Sequence, residues 1–266
     1  MTAHASARPG GYPVEHPSSG AHAGTTIVFL HGGNVANWMW DPQVTGLADF
    51  HILTPHLPGF GDRAHERWDS LAATAADVAR TIAAHARGGR AHVVGLSLGG
   101  VVATRLLAEH PEVVESGLIS GVPLTGVHGG TRRLGNAQLN LWDKRWFWHA
   151  QSRAFGLPED SRSLFVDHGL TVTKDNAVRM MREVFDGGTP AGLGAYRGPL
   201  LAVAGGKEPA SVRRSFPDLL RAVPHALCRI APAMHHAWNV EDVGLFNDVV
   251  RHWVRDAVPD PRLRPA

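Results

Sequence analysis

One cysteine, Cys228, stands in a chain of 266 residues. No internal disulfide can form and no thiolate cluster can hold a metal, so stability has to come from packing. A run of about 18 apolar residues, which a membrane span would need, is also missing. The first 24 residues carry Pro, Gly, Ser and His but no apolar stretch of the secretory kind, which makes a cytoplasmic location the expectation. Charge of one sign is lacking too: 26 Lys and Arg stand against 24 Asp and Glu, for a formal +2. Lysine is confined to Lys144, Lys174 and Lys207, and the arginines are scattered rather than drawn into a stripe. Nothing therefore points to nucleic acid or to a membrane surface. There is no glycine loop ending in Gly-Lys-Ser or Gly-Lys-Thr and no His-Glu-x-x-His. No metal and no cofactor is expected.

What the chain does have is an ordinary globular balance, 44% apolar and 19% charged, which rules out wholesale disorder. Its pattern alternates. Residues 1–24 read as a loose arm with a short strand near Tyr12 to Glu15. Apolar, β-rich runs follow at Thr25 to Leu30, His51 to Thr54, Ala91 to Leu96, Val113 to Ser120, Pro199 to Ala204 and His225 to Ile230. Between them Leu71, Ala75, Val78 and Ile82 recur at helical spacing ahead of Gly88 and Gly89, and further helices are read at 98–109 and 211–222. A last helix from Asn239 buries Phe246, Val249, Val250, Trp253 and Val254, with Asn239 and Asp242 spaced as a cap. The expected fold is α/β, a mostly parallel twisted sheet flanked by helices, with ligands at the carboxyl ends of its strands. Residues 25–123 and 199–257 would form the core. The stretch 124–198, helical with tryptophans interleaved among charges, reads as an inserted lid, and 258–266 as a frayed tail.

Directly after the third long strand stands Gly95-Leu96-Ser97-Leu98-Gly99, followed by Gly100. A serine on a tight strand-to-helix turn has its hydroxyl pushed clear of the sheet, small neighbours let adjacent backbone pass, and the next helix aims its amides at the site. A hydroxyl at neutral pH needs a base to take its proton. With 17 histidines, position must choose the base, and His235 and His236 lie between the last strand and the last helix, where the chain returns to the active edge. The imidazole needs an acceptor on its other nitrogen. Glu208 is the single carboxylate in the loop after Ala204. Two oxyanion donors are also required: the Leu98 amide is one, and Gly33, in the His31-Gly32-Gly33 turn, is the other choice. His31 itself is read as tying that turn down. Trp38, Trp142 and Trp146 are candidates for an apolar substrate wall.

Together the elbow, the His-Gly-Gly turn, the Leu57-Pro58-Gly59-Phe60-Gly61 loop and the terminal histidine resemble the α/β-hydrolase fold superfamily over about Thr25 to Val254. The resemblance implies the order Ser97, Glu208, His236. Members commonly carry a Glu five residues after the catalytic His, as Glu241 stands after His236, and this favours His236 over His235. Similar proteins place an Asp where this chain has Glu208. A serine hydrolase of small to medium carboxylic esters, thioesters or lactones is the leading expectation, its partner a small ester-like molecule. Carbon–carbon bond hydrolysis, an aminopeptidase, a hydroxynitrile lyase or a non-catalytic small-molecule receptor are the alternatives on the same fold.

Overall fold

The computed structural model describes residues 14–18, 20–127, 129–157 and 159–266. Tyr12 and Pro13, part of the expected first strand, lie outside them. An eight-stranded sheet runs through the molecule in the order β1-β3-β2-β4-β5-β6-β7-β8. Its parallel members are β2 (His22–Leu30), β3 (Phe50–Leu53), β4 (Ala91–Leu96), β5 (Val114–Ser120), β6 (Leu200–Gly205) and β7 (Leu227–Ala231). Ile27, Val28, Phe29 and Leu30 of β2 are all buried, as a central strand covered on both faces demands.

Helices were introduced by the sequence where the strands end. They are α1 (Asp41–Gly46), α2 (Leu71–His85), α3 (Leu98–Glu109), then α4 (Gly129–Gln138), α5 (Arg145–Ala154), α6 (Glu159–Gly169) and α7 (Lys174–Asp186), and finally α8 (Ala210–Arg213), α9 (Phe216–Ala222), α10 (Trp238–Glu241) and α11 (Val243–Asp256). Ser70 caps α2 by accepting from the Ala73 amide at 3.0 Å, and Leu71, Ala75, Val78 and Ile82 are buried against the sheet. The helix expected over 211–222 is two pieces. Pro217 has no amide to continue a ladder and sits in the first turn of α9, while Ser215 at the break turns its Oγ to accept from Leu124 N at 2.7 Å. The last long helix starts later than expected. Asp242, not Asn239, caps it, accepting from Leu245 N at 2.9 Å, because Asn239 is buried and its Nδ2 donates to Met39 O at 3.0 Å.

Among the described residues, 14–18, 20–24 and the segment after Val258 are more ordered than their composition suggests. β1 (Glu15–His16) pairs antiparallel with β3, and β2 already begins at His22, inside the expected arm. Nor is the segment after Val258 a frayed tail. β8 (Arg264–Pro265) pairs antiparallel with β7, Leu263 is buried, and the buried Asp260 accepts from Arg262 N and Nε, each at 2.9 Å. These charge-assisted bonds hold the Asp260 carboxyl down at about 2.

Helices α4 to α7 all lie between β5 and β6. Their interior is aromatic: Trp142 and Trp148 meet edge to face at 4.6 Å, and Phe147 and Phe165 flank Trp148. Two of the tryptophans interleaved with charges in the sequence, Trp142 and Trp148, thus belong to a small core of this insertion. Among the described residues no helix is long and apolar enough to cross a membrane.

Candidate active site

Loops after β2, β4, β5 and β7 converge on one cavity of about 450 Å³, lined by Ser97, His236, Gly33 and Leu98 among others. Ser97 joins β4 to α3 with φ 56° and ψ −119°, a conformation that L residues avoid and that the surroundings must impose. They do so by crowding. A Cβ at Gly99 would sit 2.0 Å from Leu30 O, one at Gly95 would sit 2.4 Å from Gly99 O, and one at Gly100 would meet Val122 Cγ2 at 2.3 Å. Those three glycines let β2, β4 and β5 close around the turn. Ser97 N is held by Ser120 O at 2.8 Å, and Val101 N returns to Ser97 O at 3.0 Å.

His236 comes from the loop after β7, and its Nδ1 is hydrogen-bonded to Oε1 of Glu208. A carboxylate only accepts, so Nδ1 carries the proton and Nε2 is left as an acceptor. Glu208 comes from the loop after β6. Its side chain is fully buried, and its second oxygen accepts from Gly205 N at 2.6 Å. Gly121, the first residue past β5, makes room for the pair. Its φ is +66°, and a Cβ there would lie 2.8 Å from His236 Cε1 and 2.9 Å from Glu208 Oε1.

Several neighbours fix the His236 loop in place. Trp238 Nε1 donates to Ser120 Oγ at 2.8 Å, tying that loop to the strand end that also holds Ser97. Glu241 grips the neighbouring His235 twice, from its backbone N at 2.7 Å and its Nδ1 at 2.8 Å. The Glu five residues on therefore closes the loop through His235, not through His236 itself. Phe155 of the insertion packs its ring over His236 at 5.5 Å. Sequence reasoning missed Phe155 and Gly121, since only the fold reveals which glycine and which aromatic face the histidine.

The turn after β2 is held from below. His31 is fully buried and meets Gly32 O through Nδ1 at 2.8 Å, while its Nε2 accepts from Leu57 N at 3.0 Å. A carbonyl cannot donate, so this histidine is neutral with its proton on Nδ1. Burial pushes its pKa down to about 3, and burial with His56 nearby takes His168 of α6 down to about 4. Between those values and the ordinary 6.5 the unfolded chain binds protons that the folded protein refuses. Stability is therefore complete above pH 6.5 and falls as the pH drops from there toward 4, by roughly 1.4 kcal/mol per pH unit for each histidine. Urea unfolding across this range checks it. A flat profile between pH 6.5 and 4.5 would contradict the buried neutral imidazoles.

Of the three tryptophans proposed as a substrate wall, Trp38 lines the cavity. The other two do not. Trp142 is buried inside the insertion, with Nε1 donating to Val172 O at 3.1 Å, and Trp146 lies 60% exposed on the outer side of α5. At helical spacing, aromatic residues served packing in one case and met solvent in the other. The wall is instead built from Val35, Leu157, Phe165, Met180 and Val240, so an apolar group is favoured there. Among the described residues no group of three or more His, Cys, Asp or Glu side chains could hold a metal ion.

Residues 27–249 match the alpha/beta hydrolase family. The chain belongs to this family. An AB hydrolase superfamily protein of Gibberella zeae is 28% identical over 87% of this chain and 80% of its own length. A pimeloyl-[acyl-carrier protein] methyl ester esterase of Vibrio atlanticus is 36% identical, but over only 34% of each chain. Among solved structures, an esterase from Exiguobacterium antarcticum superposes with a TM-score of 0.79 at 16% identity, covering 92% of this chain and 95% of its own. The overall fold is thus common to this protein and the esterase, although few side chains are.

Proposed function

We propose that this alpha/beta hydrolase cleaves carboxylic esters with an apolar acyl or alcohol group through an acyl-enzyme on Ser97. One observation carries the reading: Ser97, on its strained turn, opens into the same cavity as His236, whose Nδ1 is hydrogen-bonded to the buried Glu208. His236 Nε2 takes the Ser97 proton as Oγ attacks the ester carbonyl. The oxyanion formed is met by the amides of Leu98 and Gly33. Leu98 opens α3, where the first amides of a helix have no partner within it, and each such donor lowers the barrier by a few kcal/mol. Collapse of this intermediate breaks the ester C–O bond, and His236 returns the proton to the departing alcohol. Water then attacks the acyl group by the same route, releasing the acid and restoring Ser97.

Glu208 holds the imidazole in the tautomer that can accept, and stabilises the imidazolium while it lasts. The esterase names carried by several relatives favour oxygen esters over the other acyl bonds of the sequence-based expectation. Incubation with an activated aryl ester, quenched early, is expected to yield a Ser97 peptide heavier by the acyl group. Turnover of a cyanohydrin without any such adduct would instead make the serine a base and the protein a lyase.

A further inference from the structure

The direction of the Gly33 amide is decided by the peptide that contains it. In a trans peptide the C=O and the N–H face opposite ways. Gly32 O is met by the buried His31 ring at 2.8 Å, so the Gly33 N–H is sent away from that ring, on a residue that lines the Ser97 cavity. Among the described residues nothing accepts from it. The turn lies against the elbow, since a Cβ at Gly32 would stand 3.6 Å from Ser97 Cβ.

The preceding peptide is held by a sulfur. Gly32 N–H donates to Met39 Sδ at 3.3 Å, a weak acceptor on a side chain that is itself buried. Met39 is fixed in turn from the histidine loop, because its carbonyl oxygen accepts from Asn239 Nδ2 at 3.0 Å and Asn239 stands three residues after His236. Gln43 completes the link, its Nε2 donating to Asn239 O at 2.8 Å. Gln43 and Asn239 are wholly buried, yet Asn239 Oδ1 has no partner among the described residues. Two buried amides, one of them incompletely answered, cost more than an apolar pair of the same shape. Stability alone does not account for them.

We infer that Met39 and Asn239 are positioning residues that set the Gly33 amide relative to Ser97 and His236. Met39 Sδ fixes the peptide plane ahead of the donor, and Asn239 Nδ2 ties Met39 to the backbone that carries the histidine. Neither acts on the reacting atoms itself. This rests on the ester hydrolase reading, in which the Gly33 amide meets the oxyanion.

Met39→Leu keeps the volume and removes the acceptor. Two inhibitors on one skeleton read the consequence by calorimetry: a trifluoromethyl ketone, whose carbonyl carbon bonds Ser97 Oγ as His236 takes the proton, and the ether with CH2 in place of the carbonyl. The first presents an oxyanion to the amides, and the second presents none. Met39→Leu is expected to weaken the ketone about tenfold and the ether not at all, and to lower kcat about tenfold at unchanged KM. Met39→Gln, which supplies an oxygen acceptor at similar reach, should keep most of the ketone preference. Asn239→Ala reads the other end of the link: it should lower the same preference, and adding it to Met39→Leu should cost little more. Equal weakening of ketone and ether makes both residues mere packing and overturns the proposal, as does an unchanged preference in the two single variants while esters are still cleaved. If wild type cleaves no ester, the hydrolase reading falls. A ketone preference that Met39→Leu lowers about tenfold would then still uphold the link, and equal binding of ketone and ether by wild type would remove it.

Discussion

Ser97→Ala is expected to cut ester turnover by at least about 10⁴-fold and to abolish labelling by a fluorophosphonate, with the fold intact. The proposed reaction has no other atom that can form the acyl bond, so removal of Oγ leaves only what the amide donors and binding provide. Stability should behave differently from rate. At φ 56° and ψ −119° the residue occupies backbone space that costs of order 1–3 kcal/mol for anything but glycine. Ser97→Ala keeps that strain, and its thermal midpoint should match wild type. Ser97→Gly releases it, so the midpoint should rise while turnover stays as low as in the alanine variant. Steady-state kinetics with calorimetry on the three proteins checks both halves. Retained labelling in Ser97→Ala would show that another nucleophile is at work.

Glu208→Gln should lower kcat by about 10⁴-fold with little change in KM. Glutamine keeps the length of the side chain, but it offers one carbonyl oxygen where two carboxylate oxygens now accept from His236 Nδ1 and Gly205 N. Its amide would either leave one of these donors unanswered or turn an N–H toward the ring and favour the wrong tautomer. Glu208→Asp makes a sharper comparison. The Gly205-Gly206-Lys207 turn sets the distance to be spanned, with Glu208 N closing on Gly205 O at 3.1 Å. One methylene less should therefore lose most of the activity as well. Substantial activity in the glutamine variant would mean that a different group orients His236.

The sequence made the frame of the site readable because strong local signals marked it. A glycine-rich junction between a β run and a helix can hardly be anything but a tight turn, and the Ser97 elbow follows directly. Place in the alternation, a loop after a late strand, singles out Glu208 and narrows the histidines to His235 and His236, and the choice of His236 between them rests on the family resemblance. The contact of Glu208 with His236 depends on side chains 28 residues apart, which no local pattern encodes. The tryptophans show the limit of such reading. Trp38 sits beside a turn whose role was already clear, whereas Trp142 and Trp146 lie in an insertion whose helices pack on one another, and composition cannot tell the inner face from the outer. The C-terminal segment failed for a different reason: two residues of β8 have no pattern of their own and are ordered by β7 and by Asp260.

Those two short antiparallel strands have a bearing on the molecule as a colloid. Six parallel strands alone would leave a bare row of backbone donors and acceptors along each margin, a template on which another chain could grow. Here one margin ends in Glu15 and His16, and the other in Arg264 and Pro265, where the ring nitrogen of proline has no hydrogen to offer. Charge on one side and a missing donor on the other make both margins poor seeds for fibrils.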